Sequence, residues 1–289
     1  MRSYAEYLAE ATRDNDPKVK IVAIQGSPRT RESCSGGDSK TAFLLRKAID
    51  ALPKDVRVTL IDLKVMDTEP QVRPCKGCIG TANGFHCHYP CSCYSKGDGT
   101  DDLMYEEDVY GKMMDADGFV VFTPVHWYGP SSQVKALFDR LVCVNLTLTQ
   151  DEAKEIMGKD GYKDPKVTTA TERSGKHRDL LKNHYEGKVG AFFIHGDDGA
   201  NDYKGRRMPL SMSGFRGEEN VSPRESIMPI VNQCRYSGIF VPDSCIEGTV
   251  FGYGKPYSQN NLDALKSEAL IDKASGLVSR LIGEIRKRK

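Results

Sequence analysis

Apolar residues follow two alternating rhythms along this chain. Nearly unbroken runs occupy residues 18–25 (Val19, Ile21, Val22, Ala23, Ile24), residues 119–124 and residues 189–194. Runs of that length, bounded by glycine, proline and polar residues, predict strands buried on both faces. Residues 56–63 alternate through Val56, Val58 and Leu60, and residues 239–241 form a shorter run, which predicts two further strands. Between the runs, apolar positions recur at helical spacing. Ala42, Leu44, Leu45, Ala48, Ile49 and Leu52 mark one helix, with Asp38 or Ser39 before it as cap. Residues 104–114 mark a second, and Val134, Leu137, Phe138 and Leu141 a third, capped by Ser131 or Ser132. Ser222-Pro223-Arg224-Glu225 reads as a capping box opening a helix that ends near Gly238. Residues 262–285 carry Leu270, Leu277, Leu281, Ile282 and Ile285 and predict a C-terminal helix. Strands alternating with helices imply a parallel sheet covered on both faces. Tyr4, Tyr7, Leu8 and Ala11 add a short amphipathic helix in an N-terminal extension, residues 1–17.

Composition narrows the function classes. The 289 residues carry 41 basic and 40 acidic side chains, a net charge of +1, which gives no footprint for nucleic acid. No run is long and apolar enough to span a bilayer, and the start of the chain has no signal-peptide core, so a cytoplasmic protein is expected. Without internal repeats or low-complexity linkers, residues 1–289 read as one domain with insertions at 75–93 and 143–188.

Chemistry concentrates in three places. The first strand ends in Gly26-Ser27-Pro28-Arg29, and the helix after it begins at Ser39-Lys40-Thr41. Small hydroxyl residues and cations at a helix N-terminus suit an anion; ordinary capping among solvated charges is the competing reading. Neither a Gly-x-x-x-x-Gly-Lys-Ser/Thr loop nor a Gly-x-Gly-x-x-Gly turn is present. The third strand runs into Thr123-Pro124-Val125-His126-Trp127-Tyr128-Gly129-Pro130, a stiff aromatic segment fit to hold a flat ligand. Finally, Cys75, Cys78, Cys87, Cys91 and Cys93 crowd together beside His86 and His88. In a reducing compartment that cluster points to metal or redox chemistry, and Cys34, Cys143, Cys234 and Cys245 to small apolar fillers.

These segments together resemble the NAD(P)H-dependent FMN reductases and the iron–sulfur flavoproteins of the flavodoxin-like superfamily. The resemblance lies in Gly26-Ser27-Pro28-Arg29 with Ser39-x-Thr41-x-x-Leu44-Leu45, and in Thr123-Pro124-Val125-His126-Trp127 with Pro130-Ser131-Ser132-Gln133-x-Lys135 and Asp139-Arg140. It covers residues 18–142 well and 189–250 more weakly. It implies an α/β, doubly wound, five-stranded parallel sheet in the order 2-1-3-4-5, with its crevice between strands one and three. It further implies that Ser27, Arg29, Ser39, Lys40 and Thr41 hold an FMN phosphate. Pro124, Val125, His126, Trp127, Tyr128 and Gly129 would meet the ribityl chain and ring, and Gly196, Asp197 and Gly199 the pyrimidine edge. Two departures stand out: residues 30–37 are inserted in the phosphate loop, and His126 occupies a position where the family carries an aromatic side chain.

The cysteines lie where iron–sulfur flavoproteins bind a [4Fe–4S] cluster, although eight residues separate Cys78 from Cys87 where those relatives run more compactly. Four of the five thiols would ligate a cluster or a tetrahedral zinc, or the segment holds no metal. The expected activity is an oxidoreductase that takes hydride from NAD(P)H onto FMN and passes electrons to a quinone, a flavin or another acceptor. A homodimer or homotetramer is expected, with partners confined to small-molecule acceptors or a redox protein. The alternatives are an iron–sulfur flavoprotein acting as electron carrier and a zinc-stabilised binding module without redox chemistry.

Overall fold

β1 (Val19–Gln25) forms the axis of the sheet, with β2 (Val56–Asp62) on one side and β3 (Gly118–His126) on the other, both parallel to it. β5 (Val189–Gly196) pairs with β3, and β6 (Ile246–Val250) closes the order β2-β1-β3-β5-β6. This computed structural model describes residues 17–33, 39–65, 70–77, 91, 94, 101–144, 183–196, 223–250 and 266–289. Among the described residues the parallel strands therefore follow the expected flavodoxin-like order 2-1-3-4-5. The apolar runs at 18–25, 119–124 and 189–194 are indeed the central strands, and β5 is buried at all eight positions.

Helices cover both faces of the sheet. α1 (Lys40–Asp50) and α6 (Glu268–Arg286) pack on one side, where Leu44, Leu45, Leu277, Val278 and Leu281 meet Ile21, Ala23, Val120, Phe122 and Phe193. α2 (Leu103–Glu106), α3 (Val109–Asp115), α4 (Ser132–Leu141) and α5 (Met228–Tyr236) cover the other, around Val22, Ile24, Phe119, Val121, Phe192 and Ile194. The alternation of side chains along a strand separates these two sets. Serines cap three helices, two of them, Ser39 and Ser131, at positions the sequence predicts. Ser39 accepts from the Ala42 amide, Ser131 from Val134 and Ser267 from Leu270. Cys143, Cys234 and Cys245 are buried in the core as expected of fillers.

Four expectations are corrected. The fifth parallel strand is Ile246–Val250, not 239–241. Phe240 makes only an isolated bridge to Val189, after which Pro242, lacking an N–H, leads into a short 3-10 turn at Asp243–Cys245. A sixth strand, β4 (Gly129–Pro130), pairs antiparallel with β3 and lies off the main sheet order. Residues 104–114 are two helices, divided at Asp108, whose φ of 46° is left-handed and whose carboxylate caps α3 at Gly111. α5 is preceded by a 3-10 turn, Pro223–Ile227, and Ile227 at its N-cap supplies no side-chain hydrogen bond. Residues 1–16 of the N-terminal extension, residues 145–182 of the insertion at 143–188 and the first residues of 262–285 fall outside the described residues.

Candidate functional site

The C-terminal ends of β1, β3 and β5 bring the predicted phosphate loop and the aromatic segment to one edge of the sheet. The turn after β1 is clamped from within. The Ser27 amide donates to Gln25 Oε1 at 2.6 Å, and Gln25 Nε2 donates to the Ser27 carbonyl at 3.0 Å and to Asp62 Oδ1 at 2.8 Å. The Arg29 amide donates to Ser27 Oγ at 3.3 Å. Gly26 permits the approach of two elements. A Cβ there would stand 2.4 Å from Val134 Cγ2 of α4 and 2.8 Å from the Phe122 carbonyl oxygen. The Gly26 amide donates to that same carbonyl, and the Ser131 hydroxyl donates to the Gly26 carbonyl. The two loops are thus held against one another by backbone and by the α4 cap.

The start of α1 faces this edge. Ser39, Lys40 and Thr41 are all buried, and no acidic residue stands in the first turn to compete for its positive end. Thr41 Oγ1 lies 2.8 Å from Nε2 of His195, the penultimate residue of β5. Burial pushes His195 down to about 3, helped by the nearby positive charge of Lys40 and by His126. His126, the last residue of β3, is held below the ordinary histidine range by burial alone. Near neutral pH the edge therefore holds two uncharged imidazoles and one buried ammonium.

The stiff aromatic segment is built as a hairpin. Val125 pairs with Pro130 and His126 with Gly129, leaving Trp127 and Tyr128 as the two residues of a tight hairpin turn. Both have positive φ, 47° and 66°, as a two-residue hairpin requires. Trp127 is 80% exposed and Tyr128 52%, whereas Val125 is buried and Pro124, in register with His195, is half-buried.

Of the predicted site residues, Ser27, Arg29, Ser39, Lys40, Thr41, Pro124, Val125, His126, Trp127, Tyr128, Gly129 and Gly196 stand at or beside this edge. Asp197 and Gly199 lie outside the described residues. His195, Gln25 and Ser131 were not singled out as site residues. His195 had a signal: it shares strand parity with Ala191 and Phe193, which face α1 and α6. Hydroxyls, a buried cation and a helix N-terminus without an acidic residue in its first turn suit a phosphate group, so the residues present fit the phosphate of FMN.

The described residues of the cysteine segment pack elsewhere, against α2 and α4. Arg140 of α4 donates to Asp102 Oδ2 at 2.8 Å and to the Arg73 carbonyl at 3.1 Å, and its guanidinium lies 4.8 Å from the Tyr94 ring. The Tyr94 hydroxyl donates to the Pro74 carbonyl, and the Tyr105 hydroxyl to the Cys91 carbonyl. Cys91 is buried in the core and Cys75 is half-buried, whereas Cys78, Cys87 and Cys93 lie outside the described residues. Among the described residues no group of three or more His, Cys, Asp or Glu could hold a metal ion. Of the five thiols only Cys75 and Cys91 are among the described residues, two of the four that an iron–sulfur cluster needs. No helix among them is long and apolar enough to cross a membrane.

Residues 19–162 match the family model described as NADPH-dependent FMN reductase. An iron–sulfur flavoprotein of Methanosarcina thermophila is 31% identical over 124 residues, 43% of this chain and 53% of the relative. An iron–sulfur flavoprotein of Methanocaldococcus jannaschii is 28% identical over 123 residues, 42% of this chain and 51% of the relative. The chain spans about half the length of the curated relatives it matches. The solved structure of RosB with its bound intermediate 8-demethyl-8-formylriboflavin-5′-phosphate aligns at a TM-score of 0.50 and 12% identity, over 93% of this chain and 79% of that one. At that identity the likeness concerns the fold.

Proposed function

Residues 19–162 form a segment of the NADPH-dependent FMN reductase family, and from that premise we propose that this protein is an FMN-dependent oxidoreductase. One observation carries the reading. The loops after β1 and β3 flank the crevice at which a 2-1-3-4-5 sheet reverses its order, where such folds place their ligand, and the end of β5 adjoins it through Thr41 and His195. In this reading Ser27, Arg29, Ser39, Lys40 and Thr41 hold the phosphate. Pro124, Val125, His126, Trp127, Tyr128 and Gly129 border the ribityl chain and ring, and Gly196, Asp197 and Gly199 lie at the pyrimidine edge. When bound, FMN supplies hydride acceptance from a nicotinamide nucleotide and onward delivery of electrons to a quinone, a flavin or another small acceptor. The protein's own part is positional. Gln25 and Asp62 fix the β1 turn, Ser131 fixes the β3 segment to it, and burial keeps His126 and His195 uncharged near neutral pH.

A second reading is favoured by the two curated relatives, both named iron–sulfur flavoproteins. In it, thiols of the set Cys75, Cys78, Cys87, Cys91 and Cys93 hold a cluster and the protein carries electrons. The deciding experiment is anaerobic titration of the purified protein with FMN and then with NADPH or NADH, alongside iron, sulfide and zinc analysis. Stoichiometric FMN binding and rapid bleaching of the flavin colour by a nicotinamide nucleotide is the expected result. Bleaching only by a reduced ferredoxin, with iron and sulfide present, would select the carrier. A colourless protein that takes up no FMN would remove both readings.

A further inference from the structure

The bond between Thr41 and His195 joins residues 154 positions apart in the chain. Both side chains are buried, Thr41 to 1% exposure and His195 to 5%. The imidazole rests on an aromatic floor: the Phe193 ring lies 6.5 Å from it and is itself stacked on Phe122 at 4.8 Å. His195 is thus enclosed between β5 and α1, with Nε2 directed at the Thr41 hydroxyl.

The direction of that hydrogen bond decides what the threonine can offer. A hydroxyl has one hydrogen, and a neutral imidazole carries one N–H. A hydroxyl that donates to Nε2 turns only lone pairs toward an incoming anion. A hydroxyl that accepts from Nε2–H keeps its hydrogen for that anion. A phosphate at a helix N-terminus needs donors, since an acceptor lone pair facing it would repel. Burial and the neighbouring Lys40 keep His195 in the neutral form for which this choice of tautomer exists.

Resting on the FMN reading above, we propose that His195 is a positioning residue whose Nε2–H donates to Thr41 Oγ1 and so turns the Thr41 hydroxyl hydrogen toward the flavin phosphate. His195 touches no reacting atom in this role. Its effect is on how tightly the phosphate, and not the ring, is held.

The test compares FMN with riboflavin, which shares the ring and lacks the phosphate. His195→Leu is expected to weaken FMN binding about tenfold or more, because a donor to a charged group is lost, and to leave riboflavin binding unchanged. His195→Gln, which keeps an N–H donor at the same reach, is expected to retain most of the FMN affinity. In a Thr41→Val background, His195→Leu should cause no further loss, since the two act through one bond. Nitrogen-15 spectra of the wild-type protein read the tautomer directly, independent of how well any variant folds. An Nε2–H tautomer is expected; protonation on Nδ1 alone would overturn the proposal. Equal losses of FMN and riboflavin affinity, or an unchanged FMN affinity in His195→Leu, would also overturn it while leaving the FMN reading in place. A wild-type protein that binds no FMN would remove both.

Discussion

Trp127 and Tyr128 pay a conformational cost that their neighbours do not. Their φ values of 47° and 66° lie in the left-handed region, which disfavours a bulky L-residue by about 1–2 kcal/mol. Two-residue hairpins usually place Asn-Gly or Asp-Gly at such positions. An exposed Trp-Tyr pair in that conformation supports no core, and its strain fits a role in holding a ligand at the tip of β3. The double change Trp127→Asn with Tyr128→Gly is therefore expected to stabilise the fold by about 1 kcal/mol in urea unfolding. The same variant is expected to lose FMN affinity in equilibrium binding. A gain in stability with unchanged affinity would show that the aromatic pair serves something other than the flavin. The sequence located this segment by its composition and by the buried strand ahead of it. It did not disclose the hairpin, because none of the usual turn residues occupies positions 127 and 128.

Elements were legible where one periodicity ruled and obscure where tertiary contacts overrode it. The central strands, α1, α4 and their serine caps follow directly from apolar runs and capping residues. Residues 239–241 look like a strand because they are apolar, yet only Phe240 bonds to the start of β5, while Ile239 and Val241 bond back to Cys234 and Arg235 before Pro242 diverts the chain. The true edge strand, with Glu247, Gly248 and Thr249, lacks such a run, because an edge strand needs less burial. The break at Asp108 was hidden for a similar reason: apolar spacing continues across it, and only the left-handed Asp108 separates α2 from α3. Asp102, immediately before Leu103, does three jobs. It caps α2, accepts from the Arg73 amide and pairs with Arg140, where each side chain is at most 3% exposed. Asp102→Asn keeps the cap but strands the Arg140 charge in the core, so a loss of about 3–5 kcal/mol is expected in denaturant unfolding. Combining it with Arg140→Met removes the stranded charge and should recover most of that loss. A cost below about 1 kcal/mol for the single change would place the pair in effectively solvated surroundings.

At the scale of the whole molecule, groups from β3, β5 and α1 on one face of the sheet are coupled electrostatically at the edge that carries the candidate site. His195 sits inside the layer between β5 and α1, facing Thr41, Lys40 and His126. Its folded pKa is depressed from 6.5 to about 3, chiefly by burial. The sign of the pH effect follows. Above 6.5 both folded and unfolded chains hold this imidazole neutral, and the stability linked to it is fully present. Between 6.5 and about 3 the unfolded chain binds a proton that the folded chain refuses, so stability falls on acidification by up to about 1.4 kcal/mol per pH unit. His126, also depressed by burial, acts in the same direction. Urea unfolding at about pH 7.5 and about pH 5.5 samples this window above most carboxylate titration. The wild-type protein is expected to lose about 1 kcal/mol between those two conditions and His195→Gln distinctly less. A parallel loss in both proteins would place the acid sensitivity in other groups and show that His195 is more solvated than its packing on Phe193 implies.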